Sequence, residues 1–169
     1  MSRKKAREIA FHLVFEMGFR EFEADEVLAD RLDDSLMSAL GGDIALYAGK
    51  LDNAQTKYIC EVVKGVAANL SELDKTIEKY SRGWKLSRLS RVTIAILRLA
   101  LYEMNNVSDV PVGAAINEAV ELAKTYDAEE AAAFINGILG SVARAQNGEQ
   151  PETVPSEEAK PETAGGNDA

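Results

Sequence analysis

The sequence predicts an all-α fold organised around one buried helix, and three observations carry that expectation. Between Val92 and Tyr102 only Thr93 and Arg98 interrupt the apolar residues, so a helix within the stretch Trp84 to Met104 is hydrophobic on nearly every side and must be surrounded by other helices. Ala95, Leu97, Leu99, Ala100 and Leu101, with the length of the run, favour a helix over a buried strand. The flanking segments repeat apolar residues with helical period and end in capping or turn residues. The central run is also shorter than the roughly 20 apolar residues of a membrane span.

Arg3 to Gly18 reads as the first helix, with Ala6, Ala10, Leu13, Val14 and Met17 on one face and Lys5, Glu8, His12 and Glu16 opposite. A third flank carries Lys4, Arg7, Phe11 and Phe15. Cations beside rings are what single-stranded nucleic acid sites use, charge for phosphate and rings for bases or a partner. The plainer alternative is that Phe11 and Phe15 widen the core face and the cations are solvated.

Asp25 to Leu40 forms a second amphipathic helix, with Val27, Leu28, Leu32, Leu36 and Leu40 inward, closed by Gly41 and Gly42. A third runs from about Asn53 to Leu70 and carries Tyr58, Ile59, Val62, Val63 and Val66. Gly65 inside it costs about 1 kcal/mol against alanine, which predicts a close helix approach there. Ser71-Glu72-Leu73-Asp74 has capping-box spacing, with Asp for the usual Glu or Gln, and starts a short helix to about Tyr80.

Ser81 to Arg98 contains Arg82, Lys85, Arg88, Arg91 and Arg98 and no acid. Such a patch can bind phosphate, but the main role expected of it is to cover the ends of the buried helix and pair with acidic neighbours. Pro111 forces an extended residue before it and a fresh helix after it, Val112 to Tyr126, striped by Ile116, Ala119, Val120 and Ala123. Asn117 near its start could anchor a neighbouring backbone. Asp127 is placed to cap the last helix, Ala128 to about Ala145, which buries Ile135, Ile138, Leu139 and Val142, with Phe134 and Asn136 at the edge of that stripe.

A chain of 169 residues with 46% hydrophobic content supports one globular domain, read as residues 1–147, and a disordered tail, 148–169. The tail holds Pro151, Pro155 and Pro161 and sets six acids against Lys160, so it takes −5 of the formal net charge of −9. An acidic total argues against indiscriminate nucleic-acid binding. A single Cys60 and a single His12 allow neither an intramolecular disulfide nor a thiol-imidazole zinc site, and point to the cytoplasm. The basic, amphipathic opening lacks the features of a signal peptide.

Several fragments, ordered and spaced along the chain, resemble the NusB family of transcription antitermination factors: AILRLALYEM at 95–104, DVPVGAAINEAVELAKTY at 109–126 and FINGIL at 134–139. RKKAREIAFHLVF at 3–15, Lys64-Gly65-Val66, Leu73-Asp74 and Trp84-Lys85-Leu86 are similar to it in the same order, so the resemblance covers about residues 2 to 146. It implies about seven helices in two packed bundles. It also implies binding of the boxA element of ribosomal RNA leader transcripts, together with the NusE ribosomal protein and, through the complex, other Nus factors and RNA polymerase. No enzymatic activity, cofactor, metal or membrane is implied, and family members occur as monomers and homodimers. By resemblance Arg3, Lys4, Lys5 and Arg7 would contact phosphates, Phe134 and Asn136 would lie at the RNA surface, and Phe11 and Phe15 would be the rings turned to the protein partner. Four such cations, at a single-strand slope of about −0.7 each, imply about a 50-fold loss of affinity from 50 to 200 mM salt.

The chain departs from the family pattern at Ala131 to Ala133, where many members carry a serine and a basic residue, and at Thr93-Ile94, where an acid and a base are frequent. His12 replaces a frequent glutamine and is expected to be an exposed polar residue. Two other readings remain: an RNA-binding domain related to ribosomal RNA cytosine methyltransferases, and a homodimeric helical scaffold.

Overall fold

The computed structural model describes residues 3–18, 24–33 and 50–148. Among the described residues the helices are α1 (Arg3–Met17), α2 (Ala24–Arg31), α3 (Asn53–Ala68), α4 (Leu70–Tyr80), α5 (Arg91–Asn106), α6 (Val112–Tyr126) and α7 (Glu129–Gln146), with a 3-10 turn at Leu86–Arg88. Among the described residues there is no strand. The second helix, expected from Asp25 to Leu40, is corrected: it ends at Arg31, and Leu32 and Asp33 are not helical. Leu36, Leu40, Gly41, Gly42 and the tail from Glu149 lie outside the described residues.

α5 is the buried post. Ala95, Ile96, Leu97, Leu99, Ala100 and Leu101 point to all sides of it, and none is more than 4% exposed. Two bundles share this helix: α1, α2 and α3 pack together on one side, and α4, α6 and α7 on the other. The all-round apolar pattern therefore exists because one helix serves two cores. The post starts later than its sequence pattern suggests, at Arg91. Arg82 and Gly83 adopt left-handed backbone, with φ of 52° and 87°, which ends α4. Ser90 then takes the N-cap, its hydroxyl accepting from the Thr93 N–H at 3.0 Å.

Gly65 meets its expectation. A Cβ built there would lie 2.0 Å from Cζ of Tyr102, so α3 can approach α5 at this level only without a side chain. Gly65→Ala is expected to push out the Tyr102 ring and destabilise the domain by about 1–3 kcal/mol, as overpacking does. In a Tyr102→Ala background the same change should be neutral or stabilising by up to about 1 kcal/mol, because helix propensity is then the main term. Denaturant melts of the four proteins check this, and additive effects would remove the steric explanation.

Two capping expectations are corrected. α4 has no capping box at Ser71–Asp74: it begins at Leu70 directly after Asn69, which closes α3 and makes no side-chain cap for α4. Asp74 instead faces Arg98, accepting from Nε at 2.8 Å and Nη2 at 2.9 Å, because the half-buried guanidinium on α5 needs a counter-charge. The capping box belongs to α3, where Asp52 accepts from the Gln55 N–H and the Gln55 side chain accepts from the Asp52 N–H. Nor does Asp127 cap α7, since Ala128 is the N-cap position. Its Oδ2 accepts from the Ser90 and Thr93 hydroxyls at 3.0 and 2.7 Å, tying the start of α7 to the start of α5. Thr93 is thus a buried link from the first turn of α5 to the junction of α6 and α7. Asn117 is exposed on α6.

Candidate nucleic-acid interface

α1 runs antiparallel to α5, with Arg3 beside the loop that follows α5 and Gly18 near its start, within 3.4 Å of Arg91. The cations expected to meet RNA therefore sit at the carboxyl end of the post. They do not share one environment.

Arg7 is an interior residue, 6% exposed, and the expectation that it contacts phosphate is corrected. Its Nε and Nη2 donate to the Glu103 carboxylate at 2.9 Å each, and Nη1 lies 3.8 Å from Glu118. Tyr58 completes the group, its hydroxyl donating to Glu103 Oε1 at 2.6 Å. Glu103 is 1% exposed, so α5 carries a carboxylate into the core and α1 must supply the matching cation. Burial disfavours the charged guanidinium, but the hydrogen bonds and charge of Glu103 outweigh it and raise the Arg7 pKa further. Burial, the nearby carboxylate and its hydrogen bond likewise drive the Tyr58 hydroxyl upward, so it stays protonated and donates.

Arg3, Lys4 and Lys5 stay at the rim. Arg3 stacks with its guanidinium carbon 4.5 Å from the Tyr58 ring centre and reaches Asp109 at 3.0 Å, an open pair of which both members are exposed. Lys4 is exposed and Lys5 half-buried. The triad of Arg7, Glu103 and Tyr58 thus forms a dry floor beneath a wet cationic rim. Glu103 and Tyr58 were not singled out from the sequence. The signal for Glu103 is legible in retrospect, an acid inside an otherwise apolar helix.

Phe11 is 3% exposed and packs on Tyr126 at 5.1 Å between ring centres, closing α1 against α6. Its expected place at a partner surface is corrected: the plainer alternative, a wider core face, holds for it. Phe15 is half-buried and 6.3 Å from Phe11, so it is the ring of the pair with a face near solvent.

His12 is not a freely exposed residue either. Its ring meets Tyr126 edge-on at 5.2 Å, and the Tyr126 hydroxyl donates to Glu8. Burial lowers the His12 pKa, opposed by Glu8. Below its usual pKa of about 6.5 the unfolded chain binds a proton that the folded one resists, so stability contributed here is lost as pH falls through that value. His12→Gln should flatten the dependence of Tm on pH between about 7.5 and 5. An unchanged slope in calorimetry would exclude His12 as its source.

Phe134 is half-buried and Asn136 exposed on α7. Gln146 at the far end of α7 reaches Asn105 at the carboxyl end of α5, so Phe134, twelve residues earlier, stands about 18 Å from that end along the axis. The fold does not gather Phe134 and Asn136 with the rim of α1; a strand touching both must be extended.

The basic segment divides as well. Arg98 pairs with Asp74, and Arg91 donates to the Gly18 carbonyl at 3.4 Å. Among the described residues, no ion pair joins Arg82, Lys85 or Arg88 to an acid. No group of three or more His, Cys, Asp or Glu among the described residues could hold a metal, and no described helix is long and apolar enough to cross a membrane.

Two helical bundles built on one shared apolar helix, with cations and rings at the amino end of α1, define the class: an all-helical two-bundle domain. The model of the NusB family matches residues 4–144, and the chain belongs to that family of transcription antitermination factors. It is 45% identical over 144 residues to the transcription antitermination protein NusB of Acetivibrio thermocellus, covering 85% of this chain and 90% of that one. The solved NusB of T. maritima is similar at 31% identity and a TM-score of 0.72, over 85% of this chain and 92% of the other. A chain from a solved complex of antitermination factors NusB and NusE with dsRNA has the same fold, with a TM-score of 0.68, 24% identity and coverage of 85% and 96%.

Proposed function

We propose that this chain binds the boxA element of ribosomal RNA leader transcripts together with the NusE ribosomal protein, and joins other Nus factors and RNA polymerase through that complex. The observation that carries the reading is the arrangement at the amino end of α1. Arg3, Lys4 and Lys5 face outward from a helix whose next turn is locked into the core through Arg7, Glu103 and Tyr58. Such a rim is pre-organised, so little side-chain and helix ordering remains to be done on binding. Asn136 and the edge of Phe134 offer the same strand a second point of contact farther along.

The protein performs no bond chemistry in this role. It lowers the free energy of an RNA–protein assembly. Three phosphate contacts give only modest affinity, and a partner bound to the same RNA adds its own contacts without a second loss of translational freedom. A net charge of −9 over the whole chain disfavours RNA that cannot use the rim. Family membership supports the reading, as does the fold shared with the NusB of the dsRNA complex.

The test is binding of a boxA-like single-stranded RNA, alone and with NusE, against a scrambled sequence of the same composition. Tighter binding of the boxA-like RNA, increased by NusE, is expected. Equal binding of the two sequences with NusE present would overturn the proposal.

A further inference from the structure

A second surface carries the combination of ring and cation more openly than α1 does. Trp84 is 53% exposed, one of two exposed large hydrophobic residues among those described. It is not a loose side chain on a free loop. The left-handed residues Arg82 and Gly83 turn the chain outward. Ser81, 1% exposed, pins both sides of the turn: its hydroxyl lies 3.0 Å from the Glu78 carbonyl and 2.6 Å from that of Trp84, and the Trp84 N–H donates to the Ser81 carbonyl at 3.2 Å. The 3-10 turn Leu86–Arg88 fixes the other flank. The indole forms one wall of a shallow groove completed by Lys85, Leu86, Ser87, Ile94 and Glu78.

Lys85 lines the groove beside this ring, and Arg82 and Arg88 lie within four residues of it in sequence; all three are exposed and without an acidic partner among the described residues. Elsewhere in this chain, which has nine more acids than bases, the helix cations Arg31, Lys64, Lys75, Arg98 and Lys124 pair with carboxylates. Glu78 is the one acid lining the groove, and a carboxylate there can accept from a base amino group while the cations take phosphates. A pinned, exposed ring flanked by unpaired cations is the arrangement on which nucleobases stack and a sugar-phosphate chain tracks.

We propose that Trp84, Arg82, Lys85 and Arg88 form a second contact for single-stranded RNA, which takes up nucleotides lying beyond those held at α1. The proposal rests on the reading of the chain as an RNA binder. It also sets a length requirement. Arg3 lies beside the loop after α5, whereas Trp84 borders Ile94 in the first turn of α5, so the two surfaces are separated by about the 24 Å length of that helix.

Trp84 is the only tryptophan of the chain, so its fluorescence reports on this surface alone. The full chain is titrated with a boxA-like RNA of about 8 nucleotides and with the same RNA extended at both ends to about 20, against single-strand footprints of about 4–16. The long RNA is expected to bind tighter and to quench Trp84, and the short one to leave it unchanged. Arg82→Ala, Lys85→Ala and Arg88→Ala together should weaken the long RNA at 50 mM salt and reduce its salt exponent by about 2, so that the affinity it loses between 50 and 200 mM salt is about 20-fold smaller, with the short RNA unaffected. Trp84→Ala should weaken the long RNA roughly tenfold, with an unchanged melting temperature because the ring is exposed. Long RNA that binds through Lys4 and Lys5 but leaves the fluorescence and the triple variant unaltered would overturn this second contact and spare the first. Quenching by polyglutamate but not by RNA would overturn it in favour of an acidic polypeptide. Failure of both RNAs to bind, with and without NusE, would remove both proposals together.

Discussion

Glu103→Ala is expected to lower the stability of the domain by about 3–5 kcal/mol, the cost of leaving a buried charge without its partner. For a domain of this size that corresponds to a fall in Tm of about 10 °C or more. The residue left behind decides the magnitude. Arg7 is 6% exposed and donates two hydrogen bonds of 2.9 Å to the missing carboxylate, while Glu118 at 3.8 Å is too distant to replace it. The Tyr58 hydroxyl loses its acceptor as well. Changing both charged partners to apolar residues of similar volume, Arg7→Met with Glu103→Leu, should recover much of the loss, because the penalty comes from the unpaired charge and not from the absence of a salt bridge. Thermal melts of the two single variants and the pair measure this. A fall in Tm below about 3 °C for Glu103→Ala would show that the carboxylate is not the buried partner of Arg7.

Arg3→Ala, Lys4→Ala and Lys5→Ala together should remove boxA-like RNA binding at moderate salt while leaving the melting temperature nearly unchanged. Three phosphate contacts at a slope of about −0.7 each give a salt exponent near −2 and about a 20-fold affinity loss between 50 and 200 mM, less than the four-cation expectation because Arg7 is inside. The triple variant should bring the α1 contribution to that exponent to about zero. Arg3 carries one qualification: in the free protein it faces Asp109 at 3.0 Å, so a phosphate must displace that carboxylate. The pair is open to water and gives way at little cost. Gel shifts across a salt series, with circular dichroism melts alongside, read both quantities. Full-strength binding by the triple variant would place the RNA elsewhere. Arg7→Ala is the contrast, since it should unsettle the fold first and affect RNA only through the helix it anchors.

Much of the architecture was legible because helical periodicity and all-round apolarity are local properties. The run Val92–Tyr102 announced a helix covered on nearly every side, and Gly65 announced a close crossing, which a Tyr102 ring then filled. Capping was less legible, because a carboxylate at the right spacing has other uses. Asp74 answers Arg98 and Asp127 answers two hydroxyls at the start of α5, each a partner more than twenty residues away. The surface was least legible. Lys4 and Arg7 lie one helical turn apart on the same flank and look alike in sequence, as do Phe11 and Phe15. One member of each pair is covered by residues some hundred positions later, Glu103 and Tyr126, and the other is not.

By itself, then, the chain determined most of its helices, its central post and the family it resembles, since each depends on neighbours three or four residues away or on ordered short motifs. Only the tertiary structure decided which cations stay free. Desolvation is set by what the rest of the fold brings over a side chain, and for Arg7 it brought a carboxylate, whereas for Lys4, Arg82, Lys85 and Arg88 it left water.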